Sequence, residues 1–231
     1  MFAPATITGA ELRDGSLVLT YDDGPGPNTL PVAEYLSGMD IEATFFVVGQ
    51  FAEKQPDVLA RLRALGHRVG SHTWTHRNGG LTGQLVHQGA ASIVGELKRT
   101  AALLQGTAEP IAFRAPWGLW SPAVAAALSA DTILDSAHVG PIHWDIDCKD
   151  WAAWWDGVDP SVVATSYRAH AQSTKKGIVL MHDYTADVPA IAAANRSAEL
   201  TRALVPMLIA DGFRFVRLGA VVASFHQGES Q

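Results

Sequence analysis

The sequence predicts an α/β fold built on parallel strands, and two patterns carry that prediction. Short runs of β-formers alternate with helical runs along nearly all of the 231 residues, as the strand–helix–strand units of a parallel sheet require. Reactive side chains also recur just past the C-terminal ends of the expected strands, the edge where α/β architectures assemble their sites from separate loops. Alternation by itself leaves an α/β barrel and an open doubly wound sheet both open.

Strands are expected at residues 16–20, 43–48, 67–71, 111–114, 140–144, 177–181 and 213–217, which are short apolar or β-branched runs. Helices are expected between them at 30–36 behind Pro27-Asn28-Thr29, 56–65 ending at Gly66, 91–104, 122–129, 160–171, and 196–210 ending near Gly212. Proline in a first turn and glycine after a last one mark several of these boundaries. The Ala-rich stretch 123–127 belongs to a helix. No internal repeat and no Pro/Gly/Ser-rich segment divides the chain, so one domain over residues 1–231 is expected.

Composition narrows the partners. With 48% hydrophobic and 17% charged residues the chain can bury a sizeable core. A net charge of −6 without Lys/Arg runs argues against nucleic acid and acidic membranes. No apolar run is long enough to span a bilayer. The start, Met1-Phe2-Ala3-Pro4, lacks the basic and apolar regions of an export signal. A cytoplasmic protein is therefore expected as written, and a secreted one if a signal has been removed. Cys148 stands alone and cannot form an intrachain disulfide, so the redox compartment stays open, as does the oligomeric state.

The segment Thr20-Tyr21-Asp22-Asp23-Gly24-Pro25 places adjacent carboxylates in a turn. Asp, Gly and Pro suit turns on their own account, yet neighbouring carboxylates repel, and a cation on one leaves the other free to act as a base. His72 and His76 stand at i and i+4, which a helical turn would bring to one face within reach of a single ion. The sequence between them is Thr-Trp-Thr, not the Glu-containing metalloprotease pattern, so a general base must come from elsewhere and Asp22 is available. Two imidazoles and a carboxylate suit Zn²⁺ with an open position; Co²⁺ or another divalent transition ion is compatible. Arg114, in Phe113-Arg114-Ala115-Pro116-Trp117-Gly118, could hold a carboxylate bidentately, with the N–H after Pro116 facing an oxyanion. His182 leaves the apolar run 177–181 toward the same edge and suits a general acid.

In this order the segments 20–25, 72–76, 114–118, 144–151 and 180–182 resemble the motifs of the polysaccharide deacetylase (NodB-homology) family, carbohydrate esterase family four. The resemblance runs from about residue 16 to 217 and implies a distorted (β/α) barrel of about seven strands. It also implies Asp22 as base, Asp23, His72 and His76 as metal ligands, and His182 as acid. Arg114 would orient Asp22, and Asp150, or alternatively Asp147, would tune His182. Leu180 and Trp151 would line a pocket for the acetyl methyl. Trp117 stands where the family usually has Tyr, and Tyr21 where it usually has Phe; the backbone N–H of Trp117 would still serve.

The activity implied is metal-dependent removal of N-acetyl groups from an N-acetylglucosamine-containing oligo- or polysaccharide. Acetylxylan ester or cyclic amide/imide hydrolysis, or a carbohydrate-binding relative without activity, are the alternatives. A non-haem iron oxygenase shares the ligand set but would not need Asp22, Arg114 and His182. All seven tryptophans lie between Trp74 and Trp155. About half are expected in packing and the rest as sugar-stacking faces, with Trp154 and Trp155 the surface pair. Cys148 is read as filler.

Overall fold

The computed structural model describes residues 1–106 and 109–228. Its strands are β1 (Phe2–Ile7), β2 (Ser16–Asp22), β3 (Ala43–Val47), β4 (Arg68–Ser71), β5 (Ile111–Ala112), β6 (His138–Ile142), β7 (Gly177–His182) and β8 (Arg214–Phe215). Every pairing among them is parallel. One sheet runs β4-β3-β2-β7, with β8 on the start of β2, and the other runs β1-β6-β5. Two isolated parallel bridges, Ser71 to Phe113 and Ile146 to Val179, join the sheets at both seams. The result is a distorted, nearly closed barrel with helices packed outside it.

The alternation of β2 sets where everything else goes. Leu17, Leu19 and Tyr21 point outward into a large apolar cluster with Val32, Leu36, Tyr167, Leu204 and Leu208 of the surrounding helices. Val18 points inward, packing with Phe46, Ala112, Val139, Ile142 and Ile178. Leu218 and Val221, from the helix Leu218–Gly228, complete that inner cluster. The period-2 rule then makes Thr20 and Asp22 the next inward positions, and both are buried polar residues. The apolar interior thus gives way to polar chemistry toward the C-terminal end of the strands.

The expected strands at 16–20, 43–48, 67–71, 111–114, 177–181 and 213–217 appear with shifted ends. The expected helices are Thr29–Ser37, Pro56–Ala64, Ala90–Leu104, Pro122–Ser129, Pro160–Thr174 and Ser197–Ala210. The run 140–144 is corrected to β6. Its partners change after Ile142, because Asp145 and Ile146 donate their N–H groups to Ile178 O instead, while the Asp145 carboxylate accepts the N–H groups of Gly9 and Ile178. β1 lies outside the expected strands. It contains Pro4, which reads as a break, and Pro4 falls where the β1–β6 register shifts between Phe2 and Ile7.

The tryptophan pair is also corrected. The short helix Asp150–Trp155 sets adjacent side chains about 100° apart, so Trp154 is buried (3% exposed) while Trp155 is 63% exposed. Among the described residues no helix is long and apolar enough to cross a membrane.

Candidate active site

The two adjacent carboxylates are steered apart by the backbone. Asp22 ends β2 facing inward, and Asp23 follows in the left-handed region (φ 75), a conformation that Asp tolerates better than most residues. Asp22 Oδ1 accepts from Arg114 Nη1 at 2.8 Å. The contact is single rather than the bidentate one the sequence allowed, because the guanidinium is shared. Nη1 also donates to Thr20 Oγ1, Nε to Ile142 O and Nη2 to His143 O. Arg114 is fully buried, with its charged carbon 4.3 Å from the Phe46 ring centre. It therefore caps the apolar interior from above while fixing the carboxylate.

His72 and His76 do meet, though not through a helical turn. Residues 72–76 form an irregular loop in which Thr73 (φ 66) and His76 (φ 49) are left-handed. Glu96, buried on the helix Ala90–Leu104, accepts from the N–H groups of Trp74 and Thr75 and from the Thr75 hydroxyl. The loop thus has acceptors that no helix would provide. Both rings use Nδ1 to bond away from the site: His72 Nδ1 is 2.9 Å from Arg114 O and His76 Nδ1 is 2.6 Å from Asp187 Oδ2. Each Nε2 is then left facing Asp23 Oδ1, at 3.5 and 3.3 Å respectively.

These three residues offer donor atoms that all lie within 4.8 Å of one another. The donor set fits a divalent transition ion: two imidazoles with the metal-facing nitrogen free and one carboxylate. For His72 the electrostatics agree. Burial, aided by neighbouring His76, lowers the His72 pKa to about 3, which keeps that ring neutral and able to ligate. For His76 burial acts downward, but the carboxylates of Asp23, Asp187 and Asp22 outweigh it and raise the pKa.

His182 ends β7 beside Asp22, its register partner on β2. Asp150, wholly buried, accepts from His182 N–H at 2.8 Å and is 2.7 Å from His182 Nδ1. Burial works to lower the His182 pKa, yet the charge and hydrogen bond of Asp150, with help from Asp23 and Asp22, lift it to about 10. Asp147, the other candidate, instead accepts the N–H of Lys149. The ring of His182 is anchored on its Nδ1 side, so its Nε2 side is the one free to meet a substrate.

A cavity of about 270 Å³ connects these groups. Asp22, Asp23, His72, His76, Trp117, Trp151, Leu180 and His182 line it, with Arg114 and Asp150 directly behind Asp22 and His182. Trp117 is left-handed (φ 62), half exposed, and tilted over the His76 ring at 5.2 Å.

The sequence did not single out Asp187, Thr185, Val188, Ile191 or Lys149, which also line the cavity, nor Glu96. Asp187 carried a usable signal, since it follows the end of β7 as the other reactive residues follow their strands. Glu96 carried none, being one carboxylate on an amphipathic helix.

A base candidate held by an arginine, an acid candidate held by a carboxylate and a cluster of metal-ligand type side chains around one cavity define a hydrolase site at the C-terminal end of a distorted α/β barrel. The model of the polysaccharide deacetylase family matches residues 9–133, and the chain belongs to that family. It is a deacetylase hydrolase. The chitooligosaccharide deacetylase of Sinorhizobium fredii is 33% identical over 183 residues, covering 78% of this chain and 75% of that one. The peptidoglycan-N-acetylglucosamine deacetylase PgdA of Listeria monocytogenes is 29% identical over 205 residues, covering 87% of this chain and 38% of that larger protein. The fold is shared with the Bc1960 peptidoglycan N-acetylglucosamine deacetylase at a TM-score of 0.71 and 22% identity, over 94% of this chain and 92% of that one.

Proposed function

We propose that the chain removes the N-acetyl group from N-acetylglucosamine units of a chitooligosaccharide or peptidoglycan-like glycan, using a bound Zn²⁺ held by Asp23, His72 and His76. The observation that carries this is the His182–Asp150 pair opening on the same cavity as Asp22 and Asp23. An amine leaves poorly unless it is protonated, and a histidine kept charged by a carboxylate partner can supply that proton. The relatives named above are described as acting on such substrates.

When bound, the ion would supply a Lewis acid and make a water acidic enough to be used near neutral pH. The chain's own residues do the rest. Asp22, held as an acceptor by Arg114, takes the proton from the attacking water. The N–H of Trp117 is the donor offered to the oxygen on which charge develops. His182 protonates the leaving nitrogen through Nε2, and Leu180 and Trp151 enclose the acetyl methyl.

The test compares kcat/KM on chitooligosaccharides and on acetylxylan, for the native protein and for His182→Ala. Amide cleavage should be preferred and should suffer more from the substitution. A preference for the xylan ester, or equal losses on both, would overturn the substrate assignment. Asp22→Asn should lose turnover while still binding Zn²⁺, and Asp23→Asn should lose both.

A further inference from the structure

We infer that Asp187 is a positioning residue of the metal centre, acting through His76. This rests on the reading of Asp23, His72 and His76 as metal ligands. The loop that follows β7 leaves the strand after His182 and returns to the other side of the cavity, where Asp187 Oδ2 lies 2.6 Å from His76 Nδ1. The preceding residue donates its N–H to the third ligand: Ala186 N to Asp23 Oδ2, 3.1 Å. Consecutive residues of one loop therefore hold two of the candidate ligands from behind, leaving Asp23 Oδ1 and His76 Nε2 facing each other at 3.3 Å.

The two histidines are not equivalent in this respect. His72 bonds to Arg114 O, a neutral acceptor on a segment whose side chain is locked inside the barrel. His76 bonds to a carboxylate. A negative acceptor on Nδ1 makes the opposite nitrogen a stronger donor than a carbonyl does, and fixes the tautomer as well as the ring plane. His76 also has more need of an anchor. Its backbone is left-handed (φ 49), a conformation that costs a non-glycine residue energy and must be held by its surroundings. Asp187 is 23% exposed, so it stands at the cavity wall rather than in the core. It is not itself in the ligand cluster, because its oxygen engages the far side of the ring.

The alternative to a positioning role is a plain ion pair with a protonated His76 that matters only when no cation is bound. Zn²⁺ affinity separates the two. Apo protein is titrated with Zn²⁺ against a chromophoric chelator, as native, Asp187→Ala, Asp187→Asn, His76→Ala and the His76→Ala/Asp187→Ala double variant. Asp187→Ala should weaken Zn²⁺ binding by roughly 10–100-fold, the usual cost of losing such a partner. Asp187→Asn retains an acceptor oxygen and should lose less. In the His76→Ala background the loss of Asp187 should add nothing, since its effect passes through the missing ring.

Unchanged affinity in Asp187→Ala, or the same fold-loss with and without His76, would overturn the inference; the latter would mean that only its charge is felt at the site. Native protein that binds no Zn²⁺ would overturn the metal reading and this inference together. Native protein that binds while Asp187→Ala binds equally well would leave the metal reading standing. Thermal unfolding of each apo variant, with Asp187→Asn as the gentler substitution, separates lost ligation from lost folding.

Discussion

At the scale of single residues, the chemistry is set by which carboxylate reaches which partner. The sequence offers Asp147 and Asp150 as neighbours of His182, and only Asp150 bonds to it, through both the ring and the backbone N–H. That pairing raises the His182 pKa to about 10 against the opposing effect of burial. An acid that must be protonated is active below its pKa and is lost as pH rises through it. The alkaline limb of the kcat/KM profile should therefore lie well above the ~6.5 of an ordinary imidazole. A bound cation near Asp22 and Asp23 draws it down somewhat. Asp150→Asn removes the charge, so the limb should move to lower pH; a limb that stays in place would show that His182 is not the group titrating.

At the level of elements, Arg114 does more than hold the Asp22 carboxylate. Its guanidinium ties β2 to the end of β6 by bonding Thr20, Asp22, Ile142 O and His143 O in the buried mouth of the barrel. Arg114→Met should lower unfolding stability by about 3–5 kcal/mol, because it strands Asp22 as a buried, unpaired charge. The denaturant midpoint reads this. Combining Arg114→Met with Asp22→Asn should recover part of the loss, since no charge then remains; full additivity would mean that the two groups act independently. The loop 72–76 depends on another element in a similar way, with Glu96 receiving the donors that the loop's own backbone leaves unpaired.

At the scale of the whole molecule, the site is also a fastening. Its candidate metal ligands come from the loops after β2 and β4, and their supports come from the loop after β7 and from Arg114 just past β5. An ion that binds only this assembled arrangement stabilises the folded chain by mass action. At a free concentration of 100 times Kd the gain is about 2.7 kcal/mol, and for a chain of this size Tm should rise by roughly 5–10 °C. Chelation should reverse it. A Tm indifferent to Zn²⁺ and chelator would count against a cation held across these loops.

The parallel α/β character and most of the strands and helices are legible in the chain alone, because apolar runs of strand and helix period are local properties of it. The sequence also offered Asp22, Asp23, His72, His76, Arg114 and His182 at or just past strand ends, where α/β folds place sites, and it passed over Asp187 after β7. Periodicity left barrel and open sheet undecided, and the barrel was implied by the family resemblance alone, because closure rests on isolated bridges, at Ser71–Phe113 and Ile146–Val179, between residues far apart in the chain. Nor could it show that His72 and His76 converge through left-handed loop residues instead of a helical turn. That conformation is strained when taken alone, and it exists here because Glu96 and Asp187, 21 residues and 111 residues away, hold it. Spacing along the chain specifies which residues can meet on one element, whereas contacts between elements depend on how the layers pack, and only the tertiary structure decides that.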